Sequence, residues 1–160
     1  ASVTTTANPG PPSVRIRQAE RADLLGVLHI ENESFPQPWP FDAFDRFLGG
    51  PGFLVAQSVD GSVVGYVVSD VIPNHGGSVG HVKDIAVHPK RRGEGIGRTL
   101  LDRSIRTLAA QGVPTIKLEV RESNATARSL YREYGFEPLR RVPRYYDDGE
   151  DAVVMVKEND

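Results

Sequence analysis

The sequence predicts an α/β domain: a mixed, mostly antiparallel sheet of six to seven strands flanked by about four helices. Three observations carry that expectation. Short runs with apolar alternation or β-branched composition recur along the chain, punctuated by Gly, Pro, Asp and Asn. Between them lie stretches with apolar residues three and four apart, the spacing of a helix with one buried face. The resulting order is β α α β β β α β α β β, and its front half lacks the strict strand–helix alternation of a parallel sheet.

The first thirteen residues, ASVTTTANPGPPS, are polar, Pro/Gly-rich and almost uncharged. They offer little apolar surface against the entropy of ordering and are expected to form a disordered tail. One domain is expected over 14–160, because no repeat or second linker follows. VRIRQ (14–18) alternates as a half-buried strand should. RADLLGVLHIENESF (21–35) places Leu24, Val27, Leu28 and Glu31 at helical spacing, with Asp23 near its start, where a carboxylate suits the helix dipole. PQPWP breaks that helix, and FDAFDRFL (41–48) makes a second one ending at Gly49–Gly50. FLVAQSV and SVVGYVVSDVI flank Asp60–Gly61, a hairpin signal, and SVGHVKDIAV (78–87) is a further strand. The helix after Gly95 carries Ile96, Leu100, Leu101, Ile105 and Leu108 on one stripe and stops near Gly112 and Pro114. TIKLEV (115–120) is a strand. NATARSLYREY is a helix ended by Gly135, capped by Ser123 or Asn124. FEPLRRV and DAVVMVK complete the sheet.

Composition narrows the function classes. The chain has 160 residues, 39% hydrophobic and 25% charged, enough for one unstapled core. A formal charge of −2 gives no basic footprint, so direct nucleic-acid binding is not expected. Cysteine is absent, which removes disulfides, thiolate nucleophiles and cysteine-ligated metals. Four scattered histidines give no ligand spacing, so no metal is expected. No apolar run approaches the roughly 18 residues of a membrane span, and no signal-peptide core is evident; the expected compartment is the cytoplasm.

RRGEGIG (91–97) is the most informative stretch. A strand, then a glycine-rich turn, then a helix leaves uncovered N–H groups at a positive dipole end, a site for an anion and usually for phosphate. A P-loop would need Gly-Lys-Ser/Thr, whereas Ile96, Gly97 and Arg98 stand there. A dinucleotide fingerprint would need Gly-x-Gly-x-x-Gly early in a βαβ unit, whereas the spacing is Gly93-x-Gly95-x-Gly97. By itself the turn is equally compatible with plain chain reversal.

In context, IAVHPKRRGEGIGRTLL resembles the signature of the GNAT family of acetyl-CoA-dependent N-acetyltransferases, Arg/Gln-x-x-Gly-x-Gly/Ala between strand and helix. Here it reads Arg92-x-x-Gly95-x-Gly97. The resemblance implies the GNAT fold. It also implies that the turn amides of Gly93, Glu94, Gly95, Ile96 and Gly97 hold the pyrophosphate of acetyl-CoA, helped by Arg92 and Arg98. Main-chain groups at Ile85, Ala86 and Val87 would then pair with the pantetheine arm. LEVRESNATARSLYREYGFEPLRRVPRYYDDGEDAVVM resembles the C-terminal half of protein N-terminal acetyltransferases, both the RimI type and the archaeal and eukaryotic catalytic-subunit type. ENESFPQPW resembles the RimI substrate loop. The likeness spans roughly 14–157 and implies a protein or peptide N-terminus as acceptor, with no membrane involved and a monomer or weak dimer.

Acetyl transfer to an amine needs a neutral amine, a polarised carbonyl, a proton donor for the thiolate, and alignment. An α-amine has a pKa near 8 against about 10.4 for lysine, so roughly 3 kcal/mol less help is needed and one carboxylate base suffices. Without cysteine, direct attack in a ternary complex is expected rather than a thiol acetyl-enzyme. In TIKLEV, strand parity sets Glu119 opposite Ile116, Leu118 and Val120; by pattern it is a solvated carboxylate, while the resemblance makes it the base. Asn124 and Tyr131 are seven residues apart, about two turns, and share a face. By pattern Tyr131 is a core tyrosine; by resemblance it is the acid, with Asn124 near the pantetheine amides. His81 is a rival base. Asp84 faces opposite to His81 by strand parity, and RimI-like proteins usually carry a neutral polar residue at its position. Tyr145 and Tyr146 resemble the peptide clamp of α-amine enzymes, with Phe35 and Trp39 as the opposite wall; core packing is the other reading of these aromatics. As adjacent strand residues, Tyr145 and Tyr146 would face opposite ways, with one buried. The alternatives are a GNAT acting on a small amine or lysine, and a non-catalytic acetyl-CoA-binding partner subunit. Because the chain opens on Ala1–Ser2 without methionine, as after initiator removal, its tail, up to about 43–47 Å long when extended, is expected to bring Ala1 to a site for partial self-acetylation.

Overall fold

Seven strands and four α-helices make up the computed structural model, which describes residues 13–159. The strands are β1 (Val14–Gln18), β2 (Phe53–Ser58), β3 (Val63–Asn74), β4 (Gly77–Val87), β5 (Thr115–Arg121), β6 (Glu137–Val142) and β7 (Ala152–Glu158). The helices are α1 (Leu24–Ser34), α2 (Phe41–Asp45), α3 (Ile96–Ala110) and α4 (Ala125–Glu133). Apart from Ser13, the tail with its Ala1 lies outside the described residues.

The strands form one sheet in the order β1-β2-β3-β4-β5-β7-β6, antiparallel except where β4 meets β5. This is the mixed α/β architecture expected. At Asp60–Gly61, Gly61 takes φ +92° and Asp60 Oδ1 accepts from Ser62 N at 3.0 Å, closing the expected turn. The next two strands prove to be one long hairpin. Its tip is His75–Gly76, with φ of +34° and +83°, so both central residues take positive φ as in turns that match strand twist. Helix α2 is shorter than expected, giving way to turns after Asp45.

α3 and α4 cover one face of the sheet; α1 and α2 cover the other. On the first face Leu100, Leu101 and Leu108 are fully buried with Ile116, Leu118 and Phe136, each side chain contributing about 1.5–3 kcal/mol. On α3 the expected stripe is buried at Ile96, Leu100, Leu101 and Leu108, with Ile105 half-buried against the same core and Ser104 buried beside it. On the second face Leu24, Val27, Ile30 and Phe44 pack on Phe53, Val55, Tyr66 and Val68. In β5 the burial alternates as expected, with Ile116, Leu118 and Val120 inside.

One irregularity reorders the site. β3 pairs Val68 with Asp84 but Ser69 with Val82, so Lys83 is an extra residue, a β-bulge. Past it, Ile85 and Val87 pack on the α3 side with Val82, and Ala86 packs on the α1 side. Asp84 therefore lies on the same face as His81. The expected opposite orientation is corrected, because parity holds only along an unbroken ladder.

Gly52 is held tightly: its carbonyl accepts from Ser69 N at 2.9 Å, and a Cβ there would stand 2.1 Å from Ser69 O. Gly52→Ala is expected to cost at least about 1–3 kcal/mol, since backbone rather than a side-chain tip must move. Urea unfolding measures this; an unchanged midpoint would contradict the close approach.

Candidate active site

β4 and β5 pair at only two positions, Gly80 with Ile116 and His81 with Lys117. Beyond these, β4 runs on to Val87 and β5 to Arg121 without pairing, so a slot opens in the sheet. The Lys83 bulge stands at its start, where a kink and added twist turn β4 away from its neighbour.

At the far end of β4 the chain makes a short 3-10 turn, Pro89–Arg91, and enters the glycine turn before α3. Gly93 and Gly95 take φ of +82° and +89° with open space where a Cβ would stand, and Gly95 is the N-cap of α3. A glycine cap has no side-chain oxygen to offer the first amides of the helix. The turn therefore fits an anionic group such as a pyrophosphate, by its left-handed glycines and its uncapped helix start. Gly97 lies within the first turn of α3, where a Cβ would meet only Val87 Cγ2 at 3.7 Å. Glu94 is held by Arg91 at 3.0 Å. Arg92 donates to Val87 O at 3.1 Å and to Ser34 Oγ at 3.0 Å, bracing turn to strand and to α1. Arg98 is exposed and paired with Glu133 of α4.

His81 and Glu119 meet beside the strand pairing. Nε2 of His81 is 2.7 Å from Glu119 Oε1, and since a carboxylate only accepts, Nε2–H is the donor. Lys117 Nζ stands 3.3 Å from Oε2, and Lys83 Nζ stands 3.4 Å from His81 Nδ1. With its side chain 12% exposed, Glu119 is neither solvated nor lone. Burial works against its charge, but the His81 hydrogen bond and charge, with Lys117, outweigh it and hold the carboxyl below its ordinary range. Thus the two rival bases form one hydrogen-bonded unit.

Tyr131 of α4 is buried in the α3-side core, edge-on to Phe136 with centroids 5.9 Å apart. Burial raises its hydroxyl above the ordinary phenol value, with Asp84 and Tyr146 adding to the rise. Asn124 is the α4 cap: Oδ1 accepts from Ala127 N at 3.1 Å.

Tyr145 and Tyr146 lie in the β6–β7 loop rather than in a strand, so strand parity does not apply. Neither is fully buried: Tyr145 is 49% exposed and Tyr146 half-buried, their rings T-shaped at 4.9 Å. Arg121 stacks 4.1 Å from the Tyr146 ring while bonding Asp148 at 2.8 Å and Glu150 at 2.9 Å. Burial, with the neighbouring Tyr145, pushes the Tyr146 hydroxyl up to about 12. Burial and the Glu119 charge raise the Tyr145 hydroxyl above the ordinary phenol value. The DDGED loop is thus clamped by Arg121, a role that only pairing across the loop reveals. Phe35 and Trp39 are half-buried against the α1-side core, Trp39 tilted against Phe44 at 5.2 Å and stacked on Phe47 at 6.0 Å. Among the described residues no group of three or more His, Cys, Asp or Glu could hold a metal ion.

The strands thus part between an uncapped helix start that fits an anion and a carboxylate largely withdrawn from water. The chain belongs to the acetyltransferase (GNAT) family, whose family model matches residues 24–136. It is 34% identical over 152 residues to an N-alpha-acetyltransferase of Sulfurisphaera tokodaii, covering 88% of this chain and 90% of that protein. It is 32% identical over 143 residues to the ribosomal protein bS18-alanine N-acetyltransferase of Escherichia coli, covering 88% and 94%. The crystal structure of Ard1 from Thermoplasma volcanium superposes with a TM-score of 0.84 at 27% identity, covering 92% of this chain and 98% of that one.

Proposed function

We propose that this protein transfers the acetyl group of acetyl-CoA to the α-amine of a protein N-terminus by direct attack. Relatives from both archaea and bacteria that match nearly end to end bear names for that reaction, and acetyl-CoA is the co-substrate of the family fold. The observation that carries the reading is the His81–Glu119 unit at 2.7 Å, where β4 and β5 cease to pair. Glu119, ionised and held by His81, takes the proton that the attacking amine gives up. Tyr131 keeps its proton through burial and can deliver it to the departing sulfur. Turn amides at 93–97 hold the pyrophosphate; edge main chain of Ile85, Ala86 and Val87 and the free amide N–H₂ of Asn124 take the pantetheine arm. Arg92 serves by bracing the turn. Arg98 reaches phosphate only by exchanging its Glu133 partner. Tyr145 and Tyr146, fixed by Arg121, form one wall for the peptide, and the Phe35–Trp39 loop forms the other.

The test is thiol release from acetyl-CoA with short peptides differing in residue one, against their α-acetylated forms and free lysine. Free-amine peptides are expected to react and blocked ones not, even with an internal lysine. Reaction of blocked, lysine-containing peptides would replace the α-amine with a side-chain substrate.

Because Glu119 is already ionised near neutrality, the rise of kcat/KM with pH should follow the substrate amine, near 8. Peptides with different α-amine pKa values should therefore shift the limb. A limb that stays put would belong to an enzyme group. Tyr131→Phe is expected to lower kcat about 10²-fold with acetyl-CoA affinity retained; wild-type turnover would return Tyr131 to packing alone.

A further inference from the structure

Beneath the Phe35–Trp39 loop lies a buried polar cluster that the chemistry above leaves unused. Glu31 of α1 is 1% exposed. Its Oε1 accepts from the hydroxyl of fully buried Tyr66, and its Oε2 accepts from the Trp39 backbone N–H at 2.9 Å. Asp84, brought to this face by the bulge, is set against the same carboxyl, and its buried Oδ2 finds no donor. Two carboxyl groups can bond each other only if one carries a proton. Glu31 already accepts from two donors, so Asp84 is the partner that donates. As the donor, its Oδ2 ceases to be an orphan.

The surroundings favour this state. Tyr66 faces the pair from β3, with a hydroxyl that bonds Glu31 and that burial raises. Lys83, the nearest cation in sequence, is turned instead to His81, Asp70 and the Phe47 ring. Burial first, then Glu31, pushes the Asp84 carboxyl well above its ordinary range. Glu119 and Asp84 thus stand on one face in contrasting surroundings, one held by His81 and Lys117 and the other set against a carboxyl.

We propose that Glu31 and Asp84 share one buried proton and act as positioning residues, tying the main chain at Trp39 to the floor of the sheet and so setting where the peptide wall stands. The effect on peptide binding rests on the α-amine reading above; the shared proton does not.

Two arms test it. The infrared difference spectrum between the wild type and Asp84→Asn at neutral pH should show the carbonyl band of a protonated carboxylic acid only in the wild type, with no substrate present. In kinetics, Asp84→Asn keeps an N–H donor for Glu31 and should hold the peptide KM within about twofold. Asp84→Leu removes the donor and should raise peptide KM about tenfold, as one buried acceptor left unpaired would, with acetyl-CoA KM unchanged. Absence of the band would overturn the proposal, as would a wild-type peptide KM in Asp84→Leu or an equal rise in both variants. If Asp84→Leu does not fold, the band and the Asn variant decide. If the wild type acetylates no peptide, the α-amine reading fails and the infrared arm alone decides the proton.

Discussion

Gly97→Asp should fold normally and lose acetyl-CoA binding by about 10²–10³-fold. Position 97 is helical and has room for a Cβ, the nearest atom being Val87 Cγ2 at 3.7 Å. A carboxylate in the first turn of α3 favours the helix through its dipole, so stability should hold or rise slightly. The same carboxylate would face the pyrophosphate across the site. Two like charges about 4 Å apart at an effective dielectric near 20 repel by about 4 kcal/mol, close to three decades of affinity. Gly95→Asp should be as severe, but with a fold penalty of about 1–2 kcal/mol, because φ there is +89°. Isothermal titration with acetyl-CoA, beside thermal melts of both variants, separates the effects. Unchanged affinity in both folded variants would remove the 93–97 turn from the cofactor site.

The second large effect is expected at Glu119. Glu119→Gln preserves an acceptor for His81 Nε2–H and therefore the local geometry, but it removes the charge and the proton affinity. The expected result is a kcat lowered about 10²–10³-fold with acetyl-CoA affinity nearly unchanged, as for loss of a general base. The deficit should stay nearly constant on either side of pH 8, because both enzymes draw on the same fraction of free amine. The folded pKa of Glu119 is depressed, so its pairing adds stability above the unfolded value near 4.3 and loses it as pH falls through the folded value. The glutamine variant should accordingly show a flatter stability profile in acid. Near-wild-type kcat in Glu119→Gln with a dead His81→Ala would transfer the base role to the imidazole.

Much was legible without coordinates wherever the governing physics is local. Alternation in TIKLEV placed Leu118 inward and Glu119 on the other face, and β5 shows that pattern. Asp60–Gly61 turned as its φ requirement dictates, and Asn124 caps α4 as an Asn before a helix should. The glycine turn, too, is written in residues a few positions apart, because positive φ and an uncapped helix start are properties of that segment alone. The α3 stripe is buried as expected at Ile96, Leu100, Leu101 and Leu108, while the burial of Ser104 depends on how the helix sits on the sheet.

What only the tertiary structure decided are the meetings between segments. An extra residue at Lys83 is set by how β4 registers on β3, and it moved Asp84 to the face of His81 and Glu31. Whether His81 touches Glu119, 38 positions away, depends on how far β4 and β5 stay paired before they part. Arg98 was read as a phosphate ligand because its partner Glu133 lies on another helix. The sequence by itself determined the strands, the turn and the kinds of chemistry available. The tertiary structure decided which side chains share a proton, because register, bulge and strand divergence are set by packing among elements distant in the chain.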